Sequence, residues 1–146
     1  MAKFVYRMQN ILDIKIKLEN QAKLAYSVAN ARLRDEQEKL QAIILRRAGY
    51  EGQARGLVKG DLDIQAIREC RRAIDVMKSM QRLQAMNVHA AERNVELARN
   101  ELNAVMIERK SHEKLKERAF EEFKQELAHA EGREIDELVS YTHHRS

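Results

Sequence analysis

The sequence predicts an all-α fold, an antiparallel two-helix coiled-coil hairpin whose second helix is longer than the first. The chain of 146 residues contains no proline, so nothing removes a backbone donor or clashes with the preceding helical turn. Four of its five glycines lie between Gly49 and Gly60, where they mark one interruption. The second half of the chain carries a sustained heptad pattern. The length fits a single domain, residues 1–146.

The composition excludes a rounded globular core. Charged residues make up 34% and aromatic residues 5% of the chain, and tryptophan is absent, a mixture typical of long helices. No window approaches the ~18–20 apolar residues that span a bilayer, and the N-terminal residues lack the apolar stretch of a secretion signal. The single cysteine, Cys70, excludes a disulfide framework and a cysteine-based metal site. We therefore expect a cytoplasmic protein.

The first helix is predicted to run from about residue 4 to about residue 48. Its apolar residues recur at steps of three and four, the spacing of one helix face. This face comprises Phe4, Met8, Ile11, Leu18, Ala22, Ala25, Ala29, Leu33, Leu40 and Ile44, with polar Lys15 at one position. The glycines then predict a turn over about 49–62, since glycine loses the most backbone freedom on ordering. Asp61 is the candidate cap of the next helix.

The second helix is predicted over about 63–131, followed by a polar tail, 132–146. Two heptad rows define its seam, and ten of their twelve positions are apolar. The rows are Ile67, Ile74, Gln81, Val88, Val95, Leu102 and Cys70, Met77, Gln84, Ala91, Ala98, Val105. Past Val105 the seam is predicted to slip by one position, to Met106 and then Phe120, Phe123 and Leu127.

A single seam needs a partner, and a short connection tethers the first helix to it, so the chain is predicted to fold back near Gly56. In that register residue n lies opposite roughly 112 − n. At about 1.5 Å per residue, the second helix extends about 35 Å beyond the start of the first. This overhang is expected to leave Phe120, Phe123 and Leu127 uncovered, and an exposed apolar patch of that kind indicates a docking surface.

The excess positive charge is concentrated near the turn. Residues 46–82 hold nine basic and five acidic side chains, a net charge of +4, equal to that of the whole chain. The basic turn-end patch is defined as Arg46, Arg47, Arg68, Arg71 and Arg72. Its possible roles are solubility, an acidic protein partner or a phosphate backbone. Nucleic acid is the least favoured of these, because only Tyr50 is near enough in sequence to stack on bases.

The sequence shows no motif for catalysis. The glycine spacing fits neither of the two common phosphate-binding loops, and the polar residues show no arrangement that would converge in a pocket. We therefore predict that the chain is not an enzyme, that it has no small-molecule substrate, and that it needs no cofactor or metal. A protein that binds other proteins is the expected class.

Three segments resemble the FliJ family of bacterial flagellar export proteins. Residues 4–13, Phe-Val-Tyr-Arg-Met-Gln-Asn-Ile-Leu-Asp, resemble the aromatic-rich start of that family. Residues 108–116, Glu-Arg-Lys-Ser-His-Glu-Lys-Leu-Lys, resemble its charged stretch, and residues 134–137, Glu-Ile-Asp-Glu, resemble its C-terminal signature. The combination and its order, together with the length and the missing proline, extend the resemblance over the whole chain.

The resemblance implies a cytoplasmic stalk protein of the flagellar type III export apparatus, needed for motility and peripheral to the inner membrane. Its implied partners are a hexameric export ATPase, the cytoplasmic domain of the export gate and export chaperones. By analogy with a rotary stalk, the end with both termini enters the ATPase ring, with Phe4, Met8, Phe120, Phe123 and Leu127 as contact candidates. The turn end faces the gate, with Leu40, Ile44, Tyr50, Ala73 and Met77 as contact candidates.

Two alternatives stay open from the sequence. One is the equivalent stalk of a virulence type III secretion system, which the sequence pattern barely separates from the flagellar one. The other is a basic coiled-coil arm that binds nucleic acid, which accounts for the charge near the turn but leaves the apolar overhang unexplained.

Overall fold

The computed structural model describes residues 2–145, with side chains described as far as Thr142. Two helices account for nearly all of this range, α1 (Gln9–Leu57) and α2 (Ile64–Arg145). They have 49 and 82 residues, and no strand occurs among the described residues. The predicted fold class, two antiparallel helices with the second one longer, is confirmed.

The turn is shorter than predicted and lies later in the chain. α1 continues through Gly49, Gly52 and Gly56 and ends at Leu57, so the predicted end near residue 48 is wrong. Glycine costs about 1 kcal/mol relative to alanine inside a helix, but Tyr50, Ala54 and Leu57 are half-buried in the helix interface and offset that cost. The connection is therefore 58–63.

Two residues close the connection. Gly60 has φ of 109°, the only positive φ in the described chain, and glycine adopts it without a steric penalty. Asp63, rather than the predicted Asp61, caps α2: its Oδ1 accepts the backbone N–H groups of Gln65 at 3.1 Å and Ala66 at 3.2 Å. These bonds satisfy donors that the first helical turn leaves unpaired.

Both chain ends differ from the prediction. Residues 2–6 are not helical and 7–8 form a turn, so α1 begins at Gln9 instead of about residue 4. At the other end, the predicted polar tail is helical as far as Arg145. No proline interrupts this stretch, and Gly132 alone is a weak stop signal, so the helix continues.

The contact face of α1 is one continuous heptad pattern. It comprises Leu12, Lys15, Glu19, Ala22, Tyr26, Ala29, Leu33, Glu36, Leu40, Ile43, Arg47, Tyr50, Ala54 and Leu57, all buried or half-buried. The predicted face was wrong at five positions, which are exposed: Met8, Ile11, Leu18, Ala25 and Ile44. The prediction followed apolar residues, whereas four positions of the real face carry charge.

The contact face of α2 follows the predicted rows. All twelve positions from Ile67 to Val105 are buried or half-buried, which confirms that part of the seam. The prediction that the seam slips by one position after Val105 is wrong. The same heptad continues without interruption through Arg109, His112, Lys116 and Ala119 to Phe123, all half-buried.

The chain divides into two compact units, each an antiparallel pair of helical segments. One unit is Met1–Gln21 with Asn103–Ser146, and the other is Ala22–Leu102. In the second unit Glu36 contacts Gln84 and Arg47 contacts Gln81. The predicted register placed residue 36 opposite 76 and residue 47 opposite 65, and it is wrong because the turn centres near residue 60 instead of 56.

A buried charge tests the seam of the second unit. Val88 is 8% exposed, and Met86, two residues away on the same helix, is 68% exposed. We expect Val88→Asp to lower the free energy of unfolding by about 3–5 kcal/mol, because it places a new carboxylate at a buried position of the seam. Met86→Asp is the matched control and should change it by less than about 0.5 kcal/mol. Urea unfolding followed by circular dichroism measures both; equal effects would contradict the assigned seam.

Candidate functional site

An aromatic cluster joins the N-terminal segment to α2. The ring of Phe4 lies 5.1 Å from that of Phe120, in an edge-on geometry at 63°, and 5.5 Å from that of Phe123. Phe123 and Leu127 are half-buried. The prediction that this part of α2 is uncovered is therefore wrong for Phe123 and Leu127, whereas Phe120 is still exposed. The register explains this cover: Lys15 contacts Glu108 and Glu19 contacts Arg109, so the start of the chain lies opposite residues near 120 instead of the predicted 108.

An open groove of about 370 Å³ lies beside this cluster. It is lined by Phe4, Gln9, Leu12, Ile16, Glu113, Lys116, Glu117 and Phe120. Leu12 is buried at 3% exposure, whereas Met8 and Phe120 remain 42% and 41% exposed. An apolar centre with a charged rim is the composition of a protein-binding surface.

Beyond the cluster, α2 carries an apolar face that the described chain does not cover. Ile135, Leu138 and Val139 are 60–65% exposed, and their spacing of three and four places them on one side of the helix. Every residue from 131 to 142 is exposed. We call these three residues the C-terminal stripe. The sequence prediction missed it because it assigned 132–146 to a polar tail.

The structure separates the predicted gate-contact residues into two groups. Met77 is 5% exposed and Leu40 is half-buried; both lie in the helix interface. Ile44 is 37% exposed. Tyr50 and Ala73 line one groove of about 410 Å³ between α1 and α2. Ile44, Tyr50 and Ala73 are therefore accessible to a partner. Leu40 and Met77 serve as packing residues in the helix interface.

Cys70 lines the same groove between α1 and α2. Its Sγ–H donates to the carbonyl oxygen of Tyr50 at 3.2 Å, and Cys70 is buried. Its role in the described structure is thus that of a small packing residue with one hydrogen bond.

Four members of the basic turn-end patch are exposed, namely Arg46, Arg68, Arg71 and Arg72. Arg47 differs from them. Its Nε lies 2.9 Å from a carboxylate oxygen of Glu51, and its Nη1 donates to Oε1 of Gln81 at 3.0 Å. Arg47 therefore belongs to the helix interface, and its charge is already paired.

The charged seam positions are matched across the helices in the unit that holds both termini. Lys15 Nζ lies 2.8 Å from Glu108, and this contact lowers the pKa of Glu108. Arg109 donates to the carboxylate of Glu19, which is 5% exposed, and to Glu113 at 2.9 Å. These hydrogen bonds raise the pKa of Arg109. A charge-assisted network of this kind satisfies groups that burial would otherwise penalise.

The second unit contains a similar polar layer. Gln84 Nε2 donates to the backbone carbonyl of Glu36 at 2.9 Å and to its carboxylate, and both residues are buried. The bond from Gln84, followed by the charges of Lys39 and Arg32, lowers the pKa of Glu36 against the opposing effect of burial. Further along, Arg99 donates to the hydroxyl of Tyr26 at 3.4 Å and lowers the pKa of that tyrosine.

No metal site or membrane span emerges from the described residues. Among them, no three His, Cys, Asp or Glu side chains converge closely enough to hold a metal ion. Neither helix contains, over its described length, a stretch that is apolar enough to cross a bilayer.

The arrangement defines a class, that of antiparallel coiled-coil hairpins with open apolar surface near the chain ends and exposed arginines on the helices beside the connection. The chain belongs to the FliJ family: the family model described as "Flagellar FliJ protein" matches residues 4–146. Members of this family are stalk proteins of type III export.

A solved structure supports the fold. A proposed YscO homolog from Chlamydia trachomatis superposes with a TM-score of 0.71 at 24% sequence identity, over 97% of this chain and 96% of that one. A search of curated protein sequences found no significant match.

Acid should weaken the polar layer at Glu36. Its folded-state pKa lies below the ordinary 4.5, so the ionised carboxylate contributes stability above that value, and this contribution is lost as pH falls through the folded-state pKa. We expect the urea midpoint to drop on going from about pH 7 to about pH 3, and to drop less in Glu36→Gln. Glu108 shifts in the same direction and stays in both proteins. If the urea midpoints of the wild type and of Glu36→Gln fell by the same amount, this role of Glu36 would be ruled out.

Proposed function

We propose that this chain is the stalk of the flagellar type III export apparatus, which inserts into the hexameric export ATPase ring, promotes ring assembly and hydrolysis, and links the ring to the export gate and to export chaperones. The observation that carries the proposal is the uncovered apolar surface in the unit with both termini. Two parts make it up, the groove beside Phe120 and the C-terminal stripe. Apolar surface of this extent indicates a partner.

The structure changes which residues are offered to the ring. Met8 and Phe120 are accessible, and they stay contact candidates. Phe4 packs directly on Phe120 and Phe123 in the aromatic cluster. Phe4 and Phe123 therefore stabilise this surface more than they contribute exposed area to it. The C-terminal stripe joins the candidates, because nothing in the described chain covers it.

The gate contact is proposed at the turn end. Ile44, together with Tyr50 and Ala73 in their shared groove, offers apolar contacts. The exposed arginines of the basic turn-end patch add charge that favours an acidic partner surface. The match to a flagellar family over residues 4–146 favours the flagellar apparatus over a virulence system. The corresponding location is the cytoplasmic face of the inner membrane.

Removing the C-terminal stripe tests the ring contact. We expect Ile135→Ser, Leu138→Ser and Val139→Ser together to raise the concentration for half-maximal stimulation of the export ATPase by roughly tenfold or more, as loss of apolar anchors does at interfaces. The matched control is Leu24→Ser, Val28→Ser and Leu97→Ser, whose side chains are equally exposed in the other unit. Circular dichroism checks that both variants fold. Full stimulation of the ATPase by the stripe variant would show that the ring does not bind this surface.

Neutralising the turn end tests the gate contact. Arg68→Ala, Arg71→Ala and Arg72→Ala should weaken retention by the immobilised cytoplasmic domain of the gate, and the loss should be larger at low salt, where exposed charges are less screened. ATPase stimulation by this variant should match the wild type. A variant that binds the gate normally but stimulates the ATPase poorly would reverse the proposed orientation.

A further inference from the structure

The tip of the hairpin exposes three aliphatic side chains within seven residues. Val58 is 65%, Leu62 64% and Ile64 65% exposed. Every residue from 58 to 65 is exposed, so none of the three is partly sheltered by a neighbour in this stretch. We call these three residues the aliphatic tip. A solvent-exposed turn does not require aliphatic side chains, because polar residues form turns equally well.

A collar of cations surrounds the aliphatic tip in sequence. It comprises Arg55, Lys59, Arg68 and Arg71, all exposed. Among the described residues, none of the four forms an ion pair. Three acids lie in the same stretch, Asp61, Asp63 and Glu69, so residues 55–71 carry a net charge of +1. Asp63 is engaged with the first backbone donors of α2. The collar charges are therefore available to an external anion.

The surface of an anionic bilayer has two layers, the charged headgroups and the boundary with the acyl chains. The unpaired cations of the collar match the first layer, and the aliphatic tip matches the second. Apolar groups gain free energy by entering the boundary between headgroups and acyl chains. Lysine and arginine at the surface are attracted by the negative potential of acidic lipids. The connection, 58–63, is far shorter than the ~20 residues of a membrane span, so such a contact stays at the interface.

We propose that the aliphatic tip and its cationic collar bind the surface of anionic lipid bilayers. This inference does not depend on the export function, since it rests on the exposure and charge of residues 55–71 alone. The aliphatic tip shares no residue with the gate-contact candidates, whereas Arg68 and Arg71 of the collar belong to the arginine triple used above to test the gate. The aliphatic-tip variant therefore separates the two contacts, because it leaves these arginines in place.

Sedimentation of the full chain with vesicles tests the proposal. We expect the protein to sediment with vesicles of phosphatidylcholine containing about 30% phosphatidylglycerol, to stay in solution with pure phosphatidylcholine, and to dissociate near 0.5 M salt, roughly where the Debye length falls to a few ångströms. Val58→Ser, Leu62→Ser and Ile64→Ser together should lower the partition coefficient on the order of tenfold. The matched control, Leu83→Ser, Met86→Ser and Leu97→Ser, should sediment like the wild type.

A second measurement uses the absence of tryptophan from the chain. Leu62→Trp places a single reporter in the aliphatic tip, and its fluorescence should shift to the blue when anionic vesicles are added and be quenched by brominated acyl chains. Three results would overturn the proposal: no sedimentation with anionic vesicles, wild-type binding by the tip variant, or no blue shift of the reporter. Weaker gate binding by the tip variant with unchanged vesicle binding would assign the tip to a protein partner instead.

Discussion

Pairing of charged side chains across the helix interface is the constraint on which the rest of this structure depends. Two helices alone bury little apolar surface, and only seven hydrophobic residues are buried in the described part of the chain. The interface nonetheless contains Glu19 and Glu36, both about as buried as the apolar core. Arg109 and Gln84 meet them. Since a buried carboxylate without its partner is strongly destabilising, these layers permit one register, and the register in turn decides where the turn and the open surfaces lie.

The same polar layers explain what sequence reasoning could and could not find. Heptad rows on α2 were visible from Ile67 to Val105 because nearly all their members are apolar. On α1 the true face carries Lys15, Glu19, Glu36 and Arg47, so the more apolar neighbouring positions were chosen. The signal that could have found it is strict seven-residue spacing, which holds from Leu12 to Leu57 whatever the residue type. The register is wrong for a separate reason, since the turn centres near residue 60 instead of 56.

The sequence predicts the chemical character of each candidate surface but not the side chains that form it. Sequence located an apolar surface near the chain ends and a cationic one near the turn. It could not show that Phe4 packs on Phe120, because the predicted register placed Phe4 opposite residue 108. Nor could it show that Met77 is buried while Val58, Leu62 and Ile64 are exposed. Such distinctions depend on the angular position of each residue around its helix and on where the helix ends.

The glycines of α1 have a consequence for local motion. A methyl group at Gly49 or Gly56 would meet no atom within 4 Å, so alanine would fit at both positions and would stabilise the helix by about 0.5–1 kcal/mol at each. The last two turns of α1 are thus less stable than their packing permits. Amide protons there are expected to exchange through local fraying that leaves the rest of the pair intact. The residues beside the connection can therefore adjust their backbone to a surface without breaking the polar layers further along.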